Sequence, residues 1–183
     1  MLLLRQAGRH AAPLPLLESV ALGGPLIHDH GSETMKECWL GPLAQGSSWV
    51  SLALHERGSS NLLAPSTCAT RTGDSWALSG AKTAVPYAKQ ADAFVVLACM
   101  DEAPALFLMP ADQGRWLPQR GTDDHPLAEL TLDAASAVLL SADAAVVQGF
   151  ERRFQLAVSA QLLGLSEQAL DLTAAYVRER HQF

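Results

Sequence analysis

The 183-residue chain is poor in charge and poorer still in basic charge: 17% of its residues are charged, 13 Lys and Arg stand against 19 Asp and Glu, and the formal net charge is -6. Without a basic excess, neutralisation of phosphates cannot drive binding to nucleic acid or to an anionic membrane surface. Cysteine is scarce as well. Cys38, Cys68 and Cys99 are an odd number at wide spacing, which supports neither a disulfide framework nor a zinc site and points to a reducing compartment, the cytoplasm. No uninterrupted apolar stretch reaches the length of a membrane span. The short run Met1 to Leu4 precedes Arg5 and Arg9, the reverse of the order in an export signal. No glycine fingerprint for a dinucleotide and no phosphate loop is present. What the chain does have is apolar content, 49% of residues, enough to bury a core and to exclude a disordered polymer.

Three zones follow one another. Leu2 to Leu22 is rich in Leu and Ala but broken by Pro13 and Pro15, which predicts a short helix, a break and a second helix from about Leu16 to Ala21, stopped by Gly23-Gly24-Pro25. Leu26 to Gly46 reads as a polar loop, with a helical segment at Leu43 to Gln45. From Trp49 to Val147 short apolar runs alternate with turn formers: Trp49–Leu54, Trp76–Leu78, Thr83–Val85, Phe94–Cys99, Leu106–Met109, Leu127–Leu132 and Val138–Leu140 are the predicted strands, and the density suits a small barrel or sandwich. Gly149 to Phe183 is one long helix. Phe154, Val158, Leu162, Leu165, Ala169, Leu172 and Tyr176 form one stripe; Leu156, Leu163, Leu170 and Val177 form a second. At 1.5 Å per residue such a helix runs about 50 Å, longer than a small β domain is wide, so its far half needs helical partners that the chain does not supply. The expected fold class is α+β: an all-β middle domain (49–147) between remnant N-terminal helices (1–48) and one long helix (148–183) of an incomplete bundle.

Generic site searches return little. His28-Asp29-His30 with Glu33 and Cys38 has ligand residue types but reads as a solvated loop, and no metal site is expected. His55 and Glu56, adjacent at a strand end, point to opposite faces in regular β structure and cannot both face one substrate. Ser59-Ser60 lacks the strand-turn-helix setting of a nucleophile elbow.

The order of elements, in contrast, is specific. Trp76-Ala77-Leu78-Ser79-Gly80-Ala81-Lys82, then Thr83-Ala84-Val85-Pro86-Tyr87, then Ala91-Asp92-Ala93-Phe94-Val95-Val96-Leu97-Ala98 resembles the central block of the acyl-CoA dehydrogenases, "W-x-L-x-G-x-K" followed by a flavin-contacting strand and "A-D-x-x-x-V-x-A". Leu163 to Phe183 is similar to that family's "G-x-A-x-x-A-L-D-x-x-x-x-Y-x-x-x-R-x-Q-F". Leu43 to Gly46 with Ser51 to Glu56 matches a short helix and a strand ending in Thr-Glu, and Gly8-Arg9 with Pro15 to Glu18 suits the end of the N-terminal helical domain.

The resemblance implies FAD as cofactor, an acyl-CoA substrate dehydrogenated at Cα and Cβ, an electron-transfer acceptor, and homo- or hetero-oligomers formed through the 149–183 helix. Leu54, His55 and Glu56 fall at the flavin-adjacent strand end, and Ala84, Val85 and Pro86 on the strand beside the isoalloxazine. Arg180, Gln182 and Phe183 fall where family members reach the FAD of a neighbouring subunit; an Arg fork suits a pyrophosphate. Ser59 or Ser60 stands for the loop that approaches the thioester. Relatives commonly carry Trp and Thr where this chain has Ala84 and Pro86, and an Asp and an Arg where it has Arg152 and Gln155. The family's proton-abstracting Glu belongs to helices that would follow Phe183, so no residue is assigned as base, and the 183 residues alone are expected to be inactive. The rival expectation is a non-catalytic subunit of a heteromeric enzyme, without flavin chemistry of its own.

Overall fold

The computed structural model describes residues 1–122 and 124–182. Helix α1 (Leu2–Arg9) is followed by a π-helical segment, Leu16–Gly23, then α2 (Gly24–His30) and α3 (Glu33–Gln45). Seven strands follow: β1 (Val50–Ala53), β2 (Cys68–Thr72), β3 (Ser75–Pro86), β4 (Ala93–Met100), β5 (Ala103–Pro110), β6 (Arg115–Arg120) and β7 (Pro126–Ser141). Helix α4 (Ala144–Glu179) closes the order. The class is α+β as expected.

The strands form a barrel. β4 pairs with β5, β5 with β7, β7 with β3, β3 with β2, and β2 meets β4 again at Cys68 and Cys99, closing the circuit. β1 runs parallel to β4 (Val50 beside Ala93), and β6 lies on the outer half of β7. Strand β4 reads as an unbroken apolar run because both its faces are covered. Ala93, Val95 and Leu97 join a core beneath the helices with Leu22, Ile27, Leu52, Leu54 and Phe150, whereas Phe94, Val96 and Ala98 fill the barrel interior with Phe107, Met109 and Leu130. Period-two alternation on one strand thus serves two cores.

Several sequence expectations change. The polar loop at Leu26 to Gly46 is two helices: Pro25 sits in the first turn of α2, where its missing N–H costs nothing, and the Ser32 hydroxyl accepts from Met35 N (3.3 Å) to start α3, which ends at Gly46 with φ +70°. Gly23-Gly24-Pro25 therefore does not stop the chain; the π-helical segment runs straight into α2. The runs at Trp76–Leu78 and Thr83–Val85 are one strand with irregularities at Leu78/Gly80 and Lys82/Val85, and the two later runs are one strand, β7. β2 and β6 were not legible: they are exposed and polar, β6 carries Pro118, and both exist because β3 and β7 offer them ladders. Helix α4 starts at Ala144, where Asp143 accepts from Ala145 N (2.7 Å), not at Gly149.

Helix α4 is 36 residues long. Its fully buried positions are Val147, Phe150, Ala157 and Gly164; of the first apolar stripe Phe154 and Val158 pack against the core, and the second stripe does not. The small residues are there because α1 crosses at Gly8 and Gly164: a Cβ on Gly164 would lie 1.8 Å from the Arg5 carbonyl oxygen. Arg5 to Glu167 (2.5 Å) and Arg9 to Asp171 (2.5 Å) flank the crossing. Leu156, Leu163, Leu170 and Val177 remain exposed. No described helix is long and apolar enough to cross a membrane.

Candidate functional site

Two segments that are distant in sequence are locked together by Lys82. Its side chain is fully buried, and Nζ donates to Glu56 Oε1 (2.7 Å) and to the Leu54 carbonyl (3.3 Å). Glu56 also accepts from Ser66 N (2.6 Å), Thr67 N (2.9 Å) and the Thr67 hydroxyl (2.7 Å). Burial raises the Glu56 pKa, but Lys82, Thr67 and Ser66 outweigh it and hold the carboxyl at about 2. Burial pushes the Lys82 pKa down while Glu56 pulls it back. Beyond Lys82 the strand bulges: Ala84 has φ +52°, the ladder slips between Lys82 and Val85, and Thr83 N donates to His55 O (2.9 Å). Such a bulge re-aims the strand end next to it.

The result is a cavity of about 240 Å³ lined by Leu54, His55, Ala84 and Pro86 together with Leu52, Leu127, His125, Leu17 and Glu18, and closed on the helical side by Phe154, Val158 and Gln161. A second hollow of about 520 Å³ along α1 and α4 shares His125, Val158 and Gln161 with it. The His55 ring lies 6.0 Å from that of Phe154, and its pKa is lowered first by burial and then by the Lys82 charge. Glu18 sits in the π-helical segment, only 8% exposed, and burial in apolar surroundings pushes its carboxyl to about 7 against a bond from its own backbone. The segment is pinned to β1 by Ser19, whose hydroxyl donates to Val50 O (2.8 Å) and accepts from Val50 N (3.0 Å).

Of the residues singled out by sequence, Leu54, His55, Ala84 and Pro86 meet at this cavity. Val85 points the other way, into the barrel core, and the Glu56 carboxylate is turned inward to Lys82, so that neither lines the cavity. Ser59 and Ser60 lie in a turn closed by Ser59 N to Glu56 O (3.2 Å) and do not line the cavity. Arg180 ends α4, with its guanidinium 5.3 Å from the Tyr176 ring centroid; it lies about 39 Å beyond Phe154 along the helix, as does Gln182 within a few residues. Phe183 lies outside the described residues. Arg152 and Gln155 are exposed on α4. His28 contacts Asp29 (2.9 Å) on α2, and no described group of three or more His, Cys, Asp or Glu is placed to hold a metal.

Sequence reasoning missed Glu18, His125 and the role of Lys82. Lys82 stood in the quoted "G-x-K" motif, but a lysine in a strand gives no sign that its amine is buried. Glu18 and His125 carry no local signal, because only the fold brings the π-helical segment and the residues just before β7 to one wall.

No family model matches the chain. Acyl-CoA dehydrogenase FadE27 of Mycobacterium tuberculosis is 34% identical over 96% of this chain and 47% of its own length. Among solved structures, a variant of the Tcur3481-Tcur3483 steroid ACAD matches with a TM-score of 0.92 at 34% identity, covering 99% of this chain and 50% of that one. A chain of the ChsE4-ChsE5 complex from Mycobacterium tuberculosis matches with a TM-score of 0.88 at 30% identity (98% and 50% covered). A glutaryl-CoA dehydrogenase from Mycobacterium smegmatis in complex with FADH2 matches with 0.81 at 26% identity (91% and 46%). The chain spans about half the length of each of these relatives.

Proposed function

The chain belongs to the acyl-CoA dehydrogenase family, and from that premise we propose that its residues form the flavin-facing part of a site that dehydrogenates an acyl-CoA thioester at Cα and Cβ, with FAD as cofactor. The observation that carries this reading is the meeting of Leu54 and His55 with Ala84 and Pro86, from the two segments the family resemblance marks as flavin-adjacent, across one cavity. The donor set fits a ring: apolar walls from Leu54, Pro86 and Leu127, room above the small Ala84 side chain, and one imidazole. At about 240 Å³ the cavity is below the ~300–1,000 Å³ of a complete ligand site, so it suits a ring system or short acyl group and not a whole dinucleotide. When bound, the flavin supplies the hydride acceptor.

The chain's own residues supply the rest. Leu52, Leu54, Leu127, Phe154 and Val158 keep water out. His55, held uncharged by burial, presents one N–H and one lone pair without adding charge. The Lys82–Glu56 pair keeps the two strand ends in register. No described residue is assigned as the α-proton base, a role worth roughly 10²- to 10⁴-fold in rate. Arg180 and Gln182, too far along α4 to serve this cavity, are proposed to reach the FAD of a neighbouring subunit. Three free thiols suit a reducing cytoplasm.

The test is a flavin spectrum of the purified protein and release of FAD on denaturation. A colourless protein that also fails to take up FAD when mixed with a relative's subunit overturns the reading. Arg180→Ala is expected to lower FAD retention; unchanged retention removes Arg180 from the site.

A second reading, a non-catalytic subunit of a heteromer, is favoured by Ala84 and Pro86, which provide neither an aromatic face nor a hydroxyl, and by the exposed Leu156, Leu163, Leu170 and Val177. It expects flavin to appear only in the mixed assembly.

A further inference from the structure

The cavity wall holds a carboxyl that the reading above leaves unused. Glu18 is 8% exposed and lines the cavity, yet no other side chain among the described residues pairs with it. Elsewhere in this molecule a buried carboxylate is heavily partnered, as Glu56 is by Lys82, Ser66 and Thr67. Burying a carboxyl without a partner is costly, and such a group is retained where something outside the fold completes its hydrogen bonding. Its placement is enforced. The π-helical geometry of Leu16–Gly23, a form frequent at functional sites, is tied to β1 by Ser19 and packs so closely that a Cβ on Gly23 would lie 2.9 Å from Val50 Cγ1. The other titratable groups on the wall are His55, at the end of the β1 region, and His125, from the turn before β7; α4 contributes Phe154, Val158 and Gln161 and no charge.

We propose that Glu18 is the polar specificity determinant of this cavity, donating a hydrogen bond from its carboxyl to a neutral oxygen, a hydroxyl or carbonyl, on the part of the ligand that enters there. A carboxylate-bearing ligand is disfavoured because its charge would lose water against a largely apolar wall, which one donated hydrogen bond does not replace. A cation is disfavoured because an ion pair would have to be desolvated among Leu17, Leu52, Leu54, Leu127 and Val158. Taken with the reading of the previous section, on which only this last step rests, the ligand is an acyl group that carries an oxygen along its chain or ring in place of plain hydrocarbon.

The experiment uses fragments, so that it does not depend on CoA or flavin. Cyclohexanol, cyclohexanecarboxylate and cyclohexylamine are titrated at pH 6 into the full chain while backbone amide shifts of Leu17, His55 and Phe154 are followed. Cyclohexanol is expected to move these amides. Glu18→Leu is expected to weaken it by up to about tenfold and Glu18→Gln, which keeps a donor, to restore most of the affinity. Cyclohexanecarboxylate is expected to bind more weakly than cyclohexanol. Absence of cyclohexanol binding, an unchanged affinity in Glu18→Leu, or tighter binding of cyclohexylamine or the carboxylate overturns the proposal. A parallel titration with hexanoyl-CoA and 6-hydroxyhexanoyl-CoA tests the acyl-CoA reading separately: no binding of either thioester, with the fragment result intact, removes acyl-CoA and leaves Glu18 as the determinant.

Discussion

Glu56 follows the cavity-lining His55 at the end of the β1 region and Glu18 lines the cavity from the π-helical segment, and burial acts on both. Glu56 is gripped by an ammonium, a hydroxyl and two amides and stays ionised, with its pKa at about 2. Glu18 has only its own backbone and is pushed to about 7. Burial therefore does not decide what a carboxylate does; its partners do. The fully partnered acid is a structural pin that sets where the strand ends lie, and the unpartnered acid is left available to a ligand.

The largest test of that contrast removes the pin. Lys82→Met leaves Glu56 withdrawn from water without its counter-charge and is expected to cost about 3–5 kcal/mol in urea unfolding; a loss below about 1 kcal/mol would show that the amides of Ser66 and Thr67 suffice to hold the anion.

Removing the other acid has the opposite sign and depends on pH. With a folded pKa of about 7 against 4.5 for the free group, Glu18 holds its proton longer when folded, so stability falls as pH rises from about 4.5 through 7. Glu18→Gln is expected to stabilise the protein at pH 8 by on the order of 3 kcal/mol and to do little at pH 4.5. Glu56 behaves inversely: its contribution is present above about 4.5 and is lost as pH falls through about 2. His55, with a lowered pKa, contributes stability above its ordinary value that is lost on acidification, so the difference between wild type and Glu18→Gln, in which His55 cancels, is the quantity to follow. Equal gains at both pH values would place Glu18 in water.

Next in size is the helix crossing that carries Phe154 and Val158 past the cavity. Gly164→Val puts branched carbon where the Arg5 carbonyl lies, at an expected cost of about 1–3 kcal/mol. Amide exchange should show α1 losing protection while β4 and β5 keep theirs; uniform loss across the barrel would mean that the two regions unfold as one. The smallest effect is expected at the exposed Glu33–Lys36 pair (2.8 Å), where Lys36→Ala should change stability by less than about 0.5 kcal/mol.

Much of the architecture was legible because it rests on local periodicity. The apolar run Phe94–Cys99 announced a strand, which the structure extends to Ala93–Met100 and covers on both faces, and the spacing of apolar residues after Gly149 announced a long helix. The strands with no apolar signature, Cys68–Thr72 and Arg115–Arg120, were invisible because they are recruited by neighbours. The helices at Gly24–His30 and Glu33–Gln45 had readable start and stop signals in Pro25, Ser32 and Gly46, masked by polar composition. At the site, the resemblance brought out Leu54, His55, Ala84 and Pro86, whereas Glu18 and His125 had no motif to betray them.

By itself the sequence determined the class of the fold and the barrel-plus-helix order, since each follows from residue types at short spacing; the two strand ends that meet at the cavity came from the family resemblance. Tertiary structure alone decided which groups lose water and which find partners. Lys82 could be buried only because Glu56 and the Leu54 carbonyl arrive beside it, Gly164 matters only because α1 crosses there, and Glu18 is unpartnered only because the π-helical segment turns it into a wall built by four other parts of the chain. Desolvation and pairing are properties of a position in space, and sequence distance does not encode them.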